Sequence, residues 1–129
     1  MKFDSTLPWY HGSPYVLTTI RSGSTITQKR ELARIFSHKP IIVSISDDGR
    51  IKHNGTMPGY LYDISEEIKP DDVTPHPQTT MAQGDEWITK RDLRIELLDR
   101  VEIVPEEQLS EAELTALLKN LDDGSGQEN

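Results

Sequence analysis

The chain has 129 residues, a formal net charge of −8 and no cysteine. That length suits one domain with a single sizeable core, and the missing thiols exclude disulfides, zinc–thiolate sites and a cysteine nucleophile. The acidity is uneven: residues 106–129 carry seven acids against Lys119 alone, the body is nearly neutral, and no basic stripe with interleaved aromatics argues for nucleic acid.

The first residues, Met1-Lys2-Phe3-Asp4-Ser5, lack the apolar stretch of a signal peptide, and no apolar run approaches membrane-spanning length. The expectation is a cytoplasmic protein with no membrane partner. Tyr10–Ser13 reads as a short strand running into a turn at Pro14, followed by a β-branched stretch at Val16–Thr19. Residues 23–27, Gly-Ser-Thr-Ile-Thr, form a second extended run. Thr27 is then a candidate N-cap for a helix over Gln28–His38, because Leu32, Ile35 and Phe36 fall at i, i+3 and i+4. Pro40 ends it.

Strands dominate the middle. Ile41–Ile45 is a buried-type run, and Asp47-Asp48-Gly49 turns it into Arg50–His53. Asn54-Gly55 marks another turn, and Gly59–Ile64 alternates with a period of two. The polar, proline-rich stretch Ile68–Gly84 reads as a long functional loop. Glu86–Thr89 and Leu93–Val104 supply the last strands, the latter with a break near Asp99-Arg100. Ser110 with Glu113 forms a capping box, Leu109 and Leu114 a staple, and Leu114, Leu117, Leu118 and Leu121 the apolar stripe of a helix over 110–121. Residues 122–129 have nothing to bury and read as a disordered tail. The expected architecture is α+β: a single domain over 1–121, its core over about 9–104, with two small, mostly antiparallel sheets forming a cleft, one inserted helix and one appended helix.

The chemistry concentrates at Tyr10-His11-Gly12-Ser13, where an imidazole stands beside a residue whose bare backbone admits a ligand. Two further pieces follow in order, residues 23–38 and Asp85-Glu86-Trp87-Ile88. The ordered triple resembles the ADP-ribosyltransferase superfamily, in particular its His-Tyr-Glu branch of poly(ADP-ribose) polymerases and small bacterial rifamycin-modifying transferases. The likeness spans roughly Trp9 to Val104. It implies an NAD-dependent transferase that uses NAD as substrate, needs no metal and passes ADP-ribose to an unidentified acceptor, whether protein, nucleic acid or small molecule.

By the same resemblance, His11 holds the adenosine-side ribose, Gly12 offers its N–H and C=O to the nicotinamide amide, and Ser13 makes a nearby sugar or amide contact. Phe36 stacks on the nicotinamide ring, and Glu86 grips a ribose hydroxyl while stabilising an oxocarbenium-like transition state. His11 and Glu86 are the implied catalytic pair. The chain departs from the pattern at Thr25, where the branch carries a tyrosine as second wall of the nicotinamide slot; Tyr60 or Tyr62 is the candidate to close it instead. Because of that departure, the alternative is a non-catalytic nucleotide- or peptide-binding module on the same fold.

Each of these residues also has a plainer reading. His11 at a strand end satisfies a carbonyl, Glu86 is a solvated carboxylate, and Phe36 is a core side chain. His38, His53 and His76 fit no metal-ligand spacing.

Overall fold

The computed structural model describes residues 3–46, 48–77, 81 and 84–126, with side chains described as far as Lys119. Nine strands and two helices follow in the order β1 (Tyr10–Ser13), β2 (Thr19–Ile20), β3 (Thr25–Ile26), α1 (Arg30–Phe36), β4 (Val43–Ile45), β5 (Ile51–His53), β6 (Gly59–Ile64), β7 (Val73–Pro75), β8 (Trp87–Thr89), β9 (Leu93–Val101) and α2 (Glu111–Gly126). Among the described residues they form an α+β structure of three antiparallel sheets, one more than the two expected. The strand orders are β1-β6-β9-β2, β3-β8-β7 and β4-β5. The first two sheets are joined where Tyr10 and Thr27 exchange backbone hydrogen bonds of 2.7 and 3.0 Å.

Their shared core holds Trp9, Ile20, Ile26, Tyr62, Val73, Trp87, Leu93 and Ile95. Phe3, Trp9 and Trp87 meet edge to face at centroid separations of 5.0–5.8 Å, the arrangement that the ring quadrupoles favour. Tyr62 is fully buried. Its hydroxyl accepts from Leu17 N–H at 2.7 Å and donates to the Tyr15 carbonyl at 2.6 Å, which ties the loop after β1 to the core.

The long strand β9 is bulged rather than broken. Tyr62 pairs with Leu97 and Leu61 with Asp99, which leaves Leu98 as the extra residue. A bulge flips the side-chain parity of everything beyond it. Ile95 therefore faces the main core, whereas Val101, three pairs after the bulge, faces a second cluster with Ala33, Leu61 and Tyr10 on the opposite side of the sheet. Helix α1 packs on that second side.

α1 begins two residues later than expected and has no side-chain cap: Lys29 stands at its N-cap. Thr27 is engaged elsewhere, its backbone by Tyr10 and its hydroxyl by Lys29 N–H at 3.0 Å. The end of α1 lies on sheet backbone where three glycines leave room. A Cβ on Gly12 would meet the Ala33 carbonyl oxygen at 1.9 Å, one on Gly55 the His38 carbonyl oxygen at 2.6 Å, and one on Gly59 the Ser37 side chain at 2.2 Å. The chain leaves the helix through Lys39, at φ +54, before Pro40.

Other expectations shift by smaller amounts. The stretch at Val16–Thr19 pairs only as Thr19–Ile20, with Val16 well exposed. The presumed loop over Ile68–Gly84 contains a 3₁₀ turn at Pro70–Asp72 and the edge strand β7, whose proline sits where an edge tolerates it. At the C-terminus the capping box forms, Ser110 N–H to Glu113 at 3.0 Å and Glu113 N–H to Ser110 Oγ at 3.1 Å. α2 continues to Gly126, over residues expected to be a tail, and residues 127–129 lie outside the described set. Leu114 and Leu117 of its stripe are half-buried and Leu118 is exposed. Among the described residues, no helix is long and apolar enough to cross a membrane.

Candidate functional site

A hollow of about 270 Å³ opens where β1, β3 and the end of α1 converge, and Glu86, just ahead of β8, completes it. Its lining includes His11, Gly12, Thr25, Phe36 and Glu86, so five of the six residues singled out from the sequence come together, though they span 75 positions of the chain. Ser13 does not join them. Its side chain is buried, and its hydroxyl accepts Tyr15 N–H at 3.1 Å to shape the turn after β1.

Each side chain reaches the hollow for a local reason. His11 Nδ1 lies 2.8 Å from the Thr25 carbonyl oxygen. A carbonyl only accepts, so Nδ1 carries the hydrogen and Nε2 is left as an acceptor. Burial pushes the His11 pKa below its ordinary value, opposed by that bond to Thr25. The ring is thus neutral at pH 7, suited to accepting a hydroxyl proton and not to pairing with an anion.

Gly12 contributes backbone. Tyr10 directs its N–H and C=O toward Thr27, and residues two apart in a strand present these groups to the same edge. Gly12 therefore points its own N–H and C=O toward the β3 side, where the hollow opens. The lack of a Cβ serves a different purpose from the one expected: that space is filled by Ala33 and Ser37 of the α1 end, not by a ligand.

Phe36 is half-buried, outside both core clusters, and forms one wall. Thr25 of β3, paired with Ile88, also lines the hollow. Neither tyrosine proposed to complete the slot does so. Tyr62 is locked in the core, and Tyr60 packs against the core with Arg100 6.0 Å from its ring centroid. Tyr10 is the tyrosine in the lining.

The loop carrying Glu86 is held from two sides. The buried Asp85 carboxylate takes Lys29 Nζ at 2.8 Å, which links it to the start of α1, and the Glu86 carbonyl accepts His76 N–H at 3.0 Å. Lys39 and Pro40 also line the hollow, and sequence reasoning missed both. Lys39 gives no sequence signal, because a left-handed backbone at a lysine is a consequence of how α1 docks. Among the described residues, no group of three or more potential metal ligands occurs. Compared with known proteins, the chain matches no family model, no curated protein and no solved structure.

Proposed function

We propose that the hollow binds NAD and that the protein is an ADP-ribosyltransferase. The observation that supports this reading best is the joint lining by His11, Gly12, Phe36 and Glu86, which brings a neutral acceptor imidazole, a free strand edge, an aromatic wall and a carboxylate to one space. At about 270 Å³ the hollow is at the small end for ligand sites. It seats the nicotinamide end, and the adenosine half runs out over the open mouth past His11.

In this reading the nicotinamide amide pairs with Gly12 N–H and C=O, and Phe36 stacks on the ring, worth about 0.5–1.5 kcal/mol beyond burial. The glycosidic bond between ribose C1′ and the nicotinamide nitrogen breaks, and nicotinamide leaves with the bonding electrons. Glu86 stabilises the positive charge developing on the ribose. An acceptor nucleophile then bonds to C1′ and gives up its proton.

Thr25 supports a second reading, a pocket that binds a nucleotide without turnover, since neither Tyr60 nor Tyr62 stands in for the missing wall. A thermal melt with millimolar NAD, set beside nicotinamide alone, is the first test. NAD at about 100 times its Kd adds about 2.7 kcal/mol of stability, and the expected outcome is a clear rise in Tm with NAD and a smaller one with nicotinamide. No shift with either ligand would remove NAD from both readings. A shift with NAD but no nicotinamide release favours the non-catalytic one.

A further inference from the structure

Two histidines outside the hollow stand in an unusual setting. His38 and His53 are both fully buried, and their rings stack with centroids 5.2 Å apart and planes 10° from parallel. Each ring has committed its Nδ1. That of His38 lies 2.7 Å from the Met57 carbonyl oxygen, so it carries the hydrogen and leaves a lone pair on Nε2. That of His53 accepts Gly55 N–H at 3.0 Å, with the Gln108 amide nitrogen a further 3.5 Å neighbour, so the hydrogen of the neutral ring is on Nε2. The two rings are opposite tautomers. Neither Nε2 has a hydrogen-bond partner among the described residues.

His53 has no place for an additional proton. A proton added to His53 goes to Nδ1 and sets it against the Gly55 N–H, donor against donor. The same conflict rules out a metal bridging both Nε2 atoms, because a metal-bound His53 needs its hydrogen on Nδ1.

The charged groups facing the pair do not relieve it. Arg34 of α1 and Glu107 of the 3₁₀ turn Pro105–Glu107 are bound to each other. Lys52, next to His53 on β5, is tied to Glu113 of α2 at 3.0 Å. β4 brings Val43 opposite His53, and β6 brings Gly59 under Ser37. Burial, the largest cause, holds the His53 pKa below its ordinary value, with Glu107 opposing and Arg34 adding to the shift.

His38 directly follows the α1 end and precedes Lys39 and Pro40, so whatever holds its ring also holds the wall of the hollow that carries Phe36, Lys39 and Pro40. We propose that the stacked His38–His53 pair is an acid-sensitive latch, which keeps the end of α1 and that wall docked only while the His53 imidazole is neutral. The sign follows from proton uptake. In the opened form His53 binds a proton at the ordinary histidine value of about 6.5, while the docked form resists it. Docking is at full strength above that pH and is lost as pH falls below it. The carboxylates nearby, Glu107 and Glu113, have lowered pKa values and remain ionised through this range. His11 titrates in the same direction and has to be separated from the pair.

Amide hydrogen exchange on the full chain at pH 7.5 and 5.5, corrected for intrinsic exchange, provides the test and requires no ligand, so its outcome is independent of the NAD reading. The amides of Ser37, His38 and Lys39, which bond to Ala33, Ile35 and Phe36, are expected to exchange about tenfold faster at pH 5.5, while those of β7 and β8 change little. In the double variant His38→Asn/His53→Asn, with amides that can keep the Nδ1 bonds but cannot titrate, that increment disappears even though His11 is intact. If the double variant does not fold, nitrogen NMR of the unaltered protein at pH 7.5 decides: two neutral rings in opposite tautomers support the latch. Equal protection at both pH values, persistence of the increment in the double variant, a charged ring, or two rings in one tautomer would overturn it.

Discussion

Glu86→Gln is expected to lower nicotinamide release from NAD by about a hundred- to a thousandfold while NAD affinity changes by less than about tenfold. The split follows from what the side chain is asked to do. Glutamine keeps the shape and one acceptor oxygen, so a ribose hydroxyl is still held in the ground state. It has no negative charge, and charge matters only as the C1′–nitrogen bond lengthens and the sugar becomes cationic. The variant should also fold normally, because the loop is fixed by its neighbours, the Asp85–Lys29 ion pair and the Glu86 carbonyl bond to His76. The measurement is nicotinamide release under saturating NAD alongside calorimetric affinity. Equal turnover in the variant removes Glu86 from the chemistry; equal loss of affinity and turnover makes it a binding residue only.

Gly12→Ala is expected to be the most destabilising substitution in the site, by about 3 kcal/mol or more, a fall in Tm of about 10 °C. The added methyl group lands 1.9 Å from the Ala33 carbonyl oxygen and 2.7 Å from Ser37 N. Both are backbone atoms of a helix end, so neither can rotate away, and α1 has to lift from the sheet. Gly23→Ala is the comparison. Gly23 has φ +92 but nothing within 4 Å of its missing Cβ, so that change strains the backbone by about 1 kcal/mol without a collision. If urea unfolding gave the two variants similar losses, packing of α1 on Gly12 would not be what that glycine provides.

The Gly12 result bears on how far the sequence can be read. A glycine after His11 announces a close approach, and the sequence does not reveal what approaches; the structure puts the α1 end there and turns the backbone edge toward the hollow. Strand bounds are legible where alternation is strict, as in β6 at Gly59–Ile64, or where a proline turn follows, as after β1 at Tyr10–Ser13. The Ser110–Glu113 box is legible for a similar reason, since its signal is local. The start of α1 is not, because Thr27 has two uses, as helix cap and as sheet partner, and only the fold decides between them. β7 hides in a proline-rich stretch because an edge strand needs just one face and one ladder of bonds. The His38–His53 stack has no spacing rule at all. Fifteen positions separate the two residues, and they meet because α1 and β5 end against the same patch of glycine backbone.

His11 and Glu86 line one hollow, and the account rests on that hollow being where NAD sits. A crystal structure of the protein soaked in NAD tests this most directly. The expected result places the nicotinamide ring against Phe36, its amide within hydrogen-bond distance of Gly12 N–H and C=O, and a ribose hydroxyl at Glu86. Density for NAD elsewhere on the surface, or an empty hollow at saturating concentration, would contradict it.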